Sequence, residues 1–363
     1  MRKIAMLLVT IFAVATVNGQ FNPKEQLPSD SNIRTGKLPN GLTYYIRHNE
    51  KPKNRCEFHI AQDVGAIIEE DNENGLAHFL EHLCFNGTEH FPGKNIINYF
   101  ESIGVSFGGG INASTSLDKT QYHLSDVPTT REGILDSALL VLRDWSCGVL
   151  LQDEEIEKER GVILEEWRTG NNASKRMWFK RQQMMMPGSQ YAKRNVIGDT
   201  AIIKNFKPQT LRDFYHKWYG PDLQAIVVVG DIDVDKMEQK IIALFSPIKP
   251  REGMTPRPRF GALDNEKPIT SVYLDPEAQS QEIRIDFKHP HNSKKYNGTY
   301  AAYDGRIKRS LIASCLNTRL KEKYGMDSWL NFFPIMSCGY YNLAGETDVF
   351  EISVEPDNGK EME

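Results

Sequence analysis

Two histidines four residues apart, His78 and His82, stand in the run GLAHFLEHLCFNGTEHFPG, with Glu81 between them. Residues four apart share one face of an α-helix, so both imidazoles can reach a single metal ion. Glu81 projects to that same face, where its carboxylate can take a proton from a water at the metal. Two nitrogen ligands, a free carboxylate and an open coordination position are what a hydrolytic zinc site requires. The order His-x-x-Glu-His reverses that of the commoner zinc motif. A single histidine in an amphipathic helix is ordinarily a packed or surface residue. Here the full pattern is present, and Leu76, Phe79, Leu80 and Leu83 supply apolar positions at helical spacing.

Such a zinc needs a third protein ligand, and a carboxylate on a neighbouring helix would serve. The helical pattern Glu154–Thr169 offers Glu159, Glu165 and Glu166. Glu159 and Glu166 are seven apart and share a face two turns apart, while Glu165 points elsewhere. Spacing alone leaves the choice open, because acids on a helix are usually solvated. Cys84, two positions past His82, points roughly 200° away on the helix and reads as a small core residue. His289 and His291 flank Pro290 with no third partner, which is weak metal geometry. Gly108-Gly109-Gly110 lacks the lysine of a phosphate loop and reads as the lead into a strand pair, Ile111–Ser116 and Thr120–Leu124.

The chain-wide figures narrow the possibilities. With 363 residues there is room for two domains, and a formal net charge of −4 offers no basic field for nucleic acid. Arg2 and Lys3 precede an apolar run, Ile4–Val17, followed by Asn18-Gly19-Gln20. That is the layout of a cleaved signal peptide over residues 1–19, since about fourteen apolar residues are too few to span a bilayer comfortably. The expectation is an exported protein, in a bacterial periplasm or secreted, with no transmembrane segment after the cut. Of five scattered cysteines some should pair in such a compartment, and the odd count leaves one over.

Periodicity predicts strands at Leu42–Arg47, Arg55–Val64 and Gln224–Gly230, and helices from Gly75 and over Asn95–Ser102, Glu132–Trp145, Thr210–Tyr219 and Asp233–Leu244. Met184–Met186 reads as a helix end. The acids Glu69, Glu70, Asp71 and Glu73 are expected to cap the metal helix and face solvent. Four prolines between Ser246 and Arg259 interrupt all periodicity; beyond them come strands at Ile269–Leu274, Glu282–Phe287 and Asp348–Val354 and a helix at Asp304–Lys323.

HFLEH, then FNGTEHFPGKNIINYFESIG, NASTSLDKTQYHL and ERGVILEEW, together resemble the pitrilysin/insulinase family of zinc metallopeptidases, most of all its mitochondrial-processing-peptidase-like and bacterial exported branches. TLRDFYHKWYGPDLQAIVVVGDID is similar to the stretch that closes the family's first domain. The resemblance implies an α+β fold of two similar α/β domains, each a mainly antiparallel mixed sheet with helices packed on one face, half of a clamshell with its second domain truncated. It implies one zinc ion per catalytic domain, held by His78, His82 and Glu166. Glu81 would be the general base, and Glu159, grouped with it as catalytic, the supporting neighbour of Glu166. Asn112 and Ala113 would lie on an edge strand that pairs with the substrate backbone.

The implied activity is a zinc-dependent endopeptidase acting on peptides or unfolded segments; the alternative is a catalytically incomplete peptide-binding module or one subunit of a two-part peptidase. The implied partners are a peptide substrate and the second half of the clamshell, in the same longer chain or in a partner subunit. The family's second half brings an arginine and a tyrosine to the substrate, and Arg319–Gly325 lacks that pattern. The expected division is a signal peptide at 1–19, a polar lead at 20–31, a catalytic domain at 32–246, a Pro-rich linker at 247–263 and a partial second domain at 264–363.

Overall fold

The computed structural model of the chain describes residues 22–131, 133–251, 255–262, 264–291, 296–324, 335–345 and 347–355. The expected signal peptide lies outside them. The chain divides into two units, Asp30–Glu277 and a second made of Met1–Ser29 with Ala278–Glu363.

The first unit is built on a six-stranded sheet of order β1-β2-β6-β3-β5-β4, with β1 Ile33–Lys37, β2 Thr43–His48, β3 Arg55–Gln62, β4 Ile111–Thr115, β5 Thr120–Pro128 and β6 Gln224–Gly230. β3 shows why these residues make a sheet. Cys56, Phe58, Ile60 and Gln62 are buried and alternate with half-exposed neighbours, the period-2 pattern of a strand with one covered face. β6 pairs antiparallel with β3 and parallel with β2; all other neighbours are antiparallel. β4 has β5 as its strand neighbour and forms one edge of the sheet, where Phe107 bridges to Ile111 at its start.

Nine helices accompany the strands among the described residues. α1 is Leu76–Leu83, α2 Asn95–Ser102, α3 Ile134–Cys147, α4 Asp153–Gly170, α5 Ala173–Met185, α6 Thr200–Asn205, α7 Pro208–Trp218, α8 Val234–Phe245 and α9, in the second unit, Tyr300–Tyr324. α3 lies across β3 and β5, α8 against β2, and α1 is wedged among β4, α4 and α7. None of these helices is long and apolar enough to cross a membrane.

The start of α1 is fixed by two devices. Gly75 sits at φ +107, and a Cβ there would meet the Gly198 Cα at 2.7 Å, so two glycine backbones touch where the helix begins. Glu69 then accepts from the Gly75 N–H at 2.9 Å and the Ala77 N–H at 2.8 Å. The carboxylate caps the helix as the sequence suggests, but it is buried rather than solvated, and burial pushes its pKa up to about 8 against those two donors.

The second unit carries a three-stranded antiparallel sheet, β7 Ile283–Pro290, β9 Thr347–Glu355 and β8 Ile335–Ala344, in the order β7-β9-β8. With α9 between β7 and β8 in sequence, it repeats the order β3-β5-β4 of the first unit, where α1 and α2 lie between β3 and β4. Asn317 on α9 exchanges two 2.9 Å hydrogen bonds with the Cys338 backbone on β8 and docks the helix there.

Three expectations are corrected. The strand expected at Leu42–Arg47, the first that periodicity predicts, is preceded by β1, which is mostly exposed and carries no alternation to read. Ile269–Leu274 forms no strand: no described strand pairs with it, and Val272 and Leu274 are 80% and 85% exposed. The cysteines do not pair either. All five are free thiols, with Cys56, Cys84 and Cys338 buried in the packing. The described residues of the Pro-rich stretch form no helix or strand, yet they are tied to the first unit. Arg251 bonds both oxygens of Asp222, and Arg257 donates to the backbone carbonyls of Asp63 and Asp118.

Candidate metal centre

α1 buries Leu76, Ala77, Phe79, Leu80 and Leu83. Each large side chain contributes about 1.5–3 kcal/mol of burial, enough to fix the rotation of a two-turn helix. Phe79 also stands edge-on to Phe206 at 5.0 Å between ring centroids, and the Arg160 guanidinium of α4 lies 3.9 Å over that same ring. Arg160 further donates to the Ile203 and Phe206 carbonyls, so α4 is held in register against the segment that carries Phe206.

With α1 and α4 so fixed, His78, His82 and Glu166 converge. Glu166 Oε2 lies 3.7 Å from His78 Nε2 and 3.5 Å from His82 Nε2, and all three ligand atoms are within 4.8 Å of one another. Four donors at about 2.1 Å around a tetrahedral zinc are about 3.4 Å apart, so the three groups stand at the spacing that a zinc ion would need. Two imidazole nitrogens and a carboxylate oxygen are also the donor types zinc prefers. His78 is buried and Glu166 nearly half-exposed, which leaves an open side. Glu165 turns away and pairs with Arg168 at 2.6–2.8 Å.

The charges around the cluster follow from burial and contact. Burial holds the His78 imidazole neutral, down to about 4, and the charge of His82 adds to that. Burial acts the same way on His82, but hydrogen bonds to Glu159 and Glu166 outweigh it and raise that imidazole to about 9. A proton there is held by the same two carboxylates that would welcome a metal cation. The His82 hydrogen bond keeps the Glu166 carboxyl below its ordinary range against burial. Burial would raise Glu159, but bonds from His82 and Asn86 and the nearby Lys94 charge bring it below its ordinary range.

Glu159 is buried and its Oε1 accepts from His82 Nδ1 at 2.9 Å, so it holds the ring on the side away from the cluster. Glu81 is also buried, which raises its pKa; the Thr115 hydroxyl donates to it at 2.5 Å and the Thr115 backbone N–H donates as well, both opposing that rise. Thr115 ends β4, so the edge strand and α1 meet at this carboxylate. In the sequence Thr115 has no signal beyond its place in NASTSLDKTQYHL; Asn86, which bonds Glu159 from its far side, and Lys94, which bonds Asn86, have none beyond their place in FNGTEHFPGK.

Asn112 and Ala113 lie on that edge strand. The Ser116 N–H bonds to the Lys119 carbonyl and the Ser125 N–H to the Gly110 carbonyl. In an antiparallel ladder this alternation turns the N–H and C=O of Ala113 toward the open edge. The Ala113 N–H there is met at 2.8 Å by the Asn112 side-chain oxygen.

The family model for insulinase (peptidase family M16) matches residues 44–197, and that for the peptidase M16 inactive domain matches residues 205–331. A probable zinc protease PqqL of Haemophilus influenzae is 31% identical over 92% of this chain and 36% of its own length. A zinc protease PQQL-like of Arabidopsis thaliana is 35% identical over 78% of this chain and 30% of its own. The crystal structure of the periplasmic protease PqqL from Escherichia coli superposes with a TM-score of 0.77 at 29% identity, covering 92% of this chain and 36% of that one. The structure of the first half of the same protease gives 0.75 over 92% of this chain and 70% of that one. The chain thus spans about a third of the length of these two curated relatives. Built on matches to two models of one family and on a fold shared with halves of its proteases, the chain belongs to peptidase family M16, the insulinase family.

Proposed function

We propose that the protein is a zinc-dependent endopeptidase that cleaves peptides or unfolded polypeptide segments, with one zinc ion held by His78, His82 and Glu166. The observation that carries this reading is the convergence of those three ligand atoms, at 3.5 and 3.7 Å from Glu166 Oε2, beside a buried free carboxylate. Zinc bound there supplies Lewis acidity, polarising a peptide carbonyl and lowering the pKa of water at the site.

The chain's own residues do the rest. Ala113 offers its open-edge backbone groups to an extended peptide, with Asn112 beside it, and the peptide adds as a strand. Glu81 takes a proton from the attacking water and later gives it to the leaving amine. Burial raises its pKa toward the working range while Thr115 keeps it aimed. Glu159 orients His82 through Nδ1.

The domain reading accompanies this function: residues 32–246 as the catalytic domain, 247–263 as linker and 264–363 as part of a second, similar domain, with the other half of the clamshell completing the chamber. Export guided by residues 1–19 is consistent with the periplasmic location named for the Escherichia coli structure. A second reading is a peptide-binding module or one subunit of a two-part peptidase, in line with the likeness to the first half of the Escherichia coli protease.

Cleavage of an unstructured quenched peptide, with and without chelator, tests the proposal. Chelator-sensitive cleavage that Glu81→Gln abolishes while zinc stays bound supports the enzyme. Bound zinc without cleavage supports the binding reading, and undiminished cleavage by Glu81→Gln sinks the role of Glu81.

A further inference from the structure

Only one oxygen of Glu159 faces His82. The other accepts from Asn86 Nδ2 at 2.5 Å, and Asn86 Oδ1 in turn accepts from the Lys94 ammonium at 2.5 Å. Lys94, Asn86, Glu159 and His82 thus form one line of hydrogen bonds from the surface to the metal face. Its polarity is fixed. An ammonium only donates and an ionised carboxylate only accepts, so the amide between them can be oriented in one way. Aspartate at that place would set a like charge against Glu159, and leucine would leave a buried carboxylate oxygen unpaired.

The position of Lys94 is a second, independent observation. It is the residue that caps the N-terminus of α2, where the helix dipole disfavours a cation and where Ser, Thr, Asp or Asn is preferred. Its side chain makes no capping bond, and the first turn of α2 holds no acid to offset it. Helix stability does not account for a lysine here; the bond to Asn86 does.

We propose that Asn86 and Lys94 are positioning residues for the metal, acting through Glu159 to fix the His82 ring and to set how tightly it holds zinc. This rests on the zinc reading above. A ligating histidine held at its second nitrogen by a carboxylate has a fixed tautomer and a more basic donor atom. The line of bonds carries that control two residues further, to a lysine whose stem is at the surface.

The test is zinc affinity of the full chain by chelator competition, with the absorption spectrum of the cobalt(II) form as a report on ligand geometry. Lys94→Met and Asn86→Ala should each weaken zinc about tenfold, in the range typical of outer partners of a ligand, and should shift the cobalt spectrum. Their effects should not add in the double variant, because both act through Glu159. Lys94→Arg, which keeps the charge and the donor, should recover most of the affinity. Thermal unfolding of the metal-free Lys94→Met form should match the parent, which separates positioning from a structural loss. Should Asn86→Ala fold poorly, Lys94→Met carries the test alone. Zinc affinities within about twofold of the parent with an unchanged cobalt spectrum would overturn the inference, as would fully additive effects. A parent chain that takes up no zinc would overturn the zinc reading itself, a different result.

Discussion

The Thr115 hydroxyl donates to Glu81 at 2.5 Å and so joins the edge strand that would receive a peptide to the carboxylate that would activate water. The joint is economical. On the proposed reading, one residue would set both where a peptide backbone runs and where the base points, so a shift of β4 would carry the base with it.

Thr115→Val keeps the strand's β-branched shape and removes that hydroxyl. The lost bond had favoured ionised Glu81, so its pKa, already raised by burial, should rise further. A general base must be deprotonated, so the acid limb of the kcat/KM profile should move to higher pH. Zinc affinity should stay near that of the parent. A pH profile unmoved by the substitution would disconnect Thr115 from the base.

Ala113→Pro addresses the open edge. The alternation along β4 turns this N–H away from β5, so proline removes no sheet bond and is tolerated as edge-strand prolines are. It does remove the N–H that Asn112 Oδ1 now accepts from and that an added peptide strand would take over as its donor. The expected result is a KM raised about tenfold, the loss of one backbone hydrogen bond in a closed site, with zinc affinity unchanged. Unchanged KM would move the substrate off this edge.

Arg251 and Asp222 give a stability prediction. The guanidinium bonds both carboxylate oxygens, which holds the Asp222 carboxyl below its ordinary range. A depressed folded pKa contributes stability that is present above the unfolded value and is lost as pH falls through the folded one. Arg251→Met should cost about 2 kcal/mol at neutral pH, as for hydrogen bonds to a charged group. Denaturant titrations should show the gap between parent and variant closing as Asp222 protonates in acid. A gap that persists in acid would assign the loss to packing.

How much of this could be read from the chain varies with what set each feature. α2 and β6 match the sequence reading to the residue, because turn chemistry bounds them and their own periodicity defines them. β1, β8 and most of α5 escaped. β1 is short and exposed, and α5 buries only Ala173 and Gln182, so neither presents a clear apolar face. Ile269–Leu274 had the pattern of a strand but has no described neighbour to pair with, and pattern alone provides no hydrogen-bond partner. In the site, His78, Glu81 and His82 were visible because one helical turn fixes their relation. Glu166 and Glu165 were separable only by family resemblance, since their facing depends on how Arg160 and Ile163 seat α4. Asn86 and Lys94 were invisible as a pair with Glu159, because that contact joins residues more than sixty positions apart.

The most direct measurement is zinc stoichiometry and affinity of the parent chain beside Glu166→Gln and Glu165→Gln. One zinc per parent chain is expected, with a loss of at least about a hundredfold in affinity for Glu166→Gln and parent-like binding for Glu165→Gln, whose side chain is engaged with Arg168. Tight zinc in Glu166→Gln together with its loss in Glu165→Gln would contradict the centre as assigned.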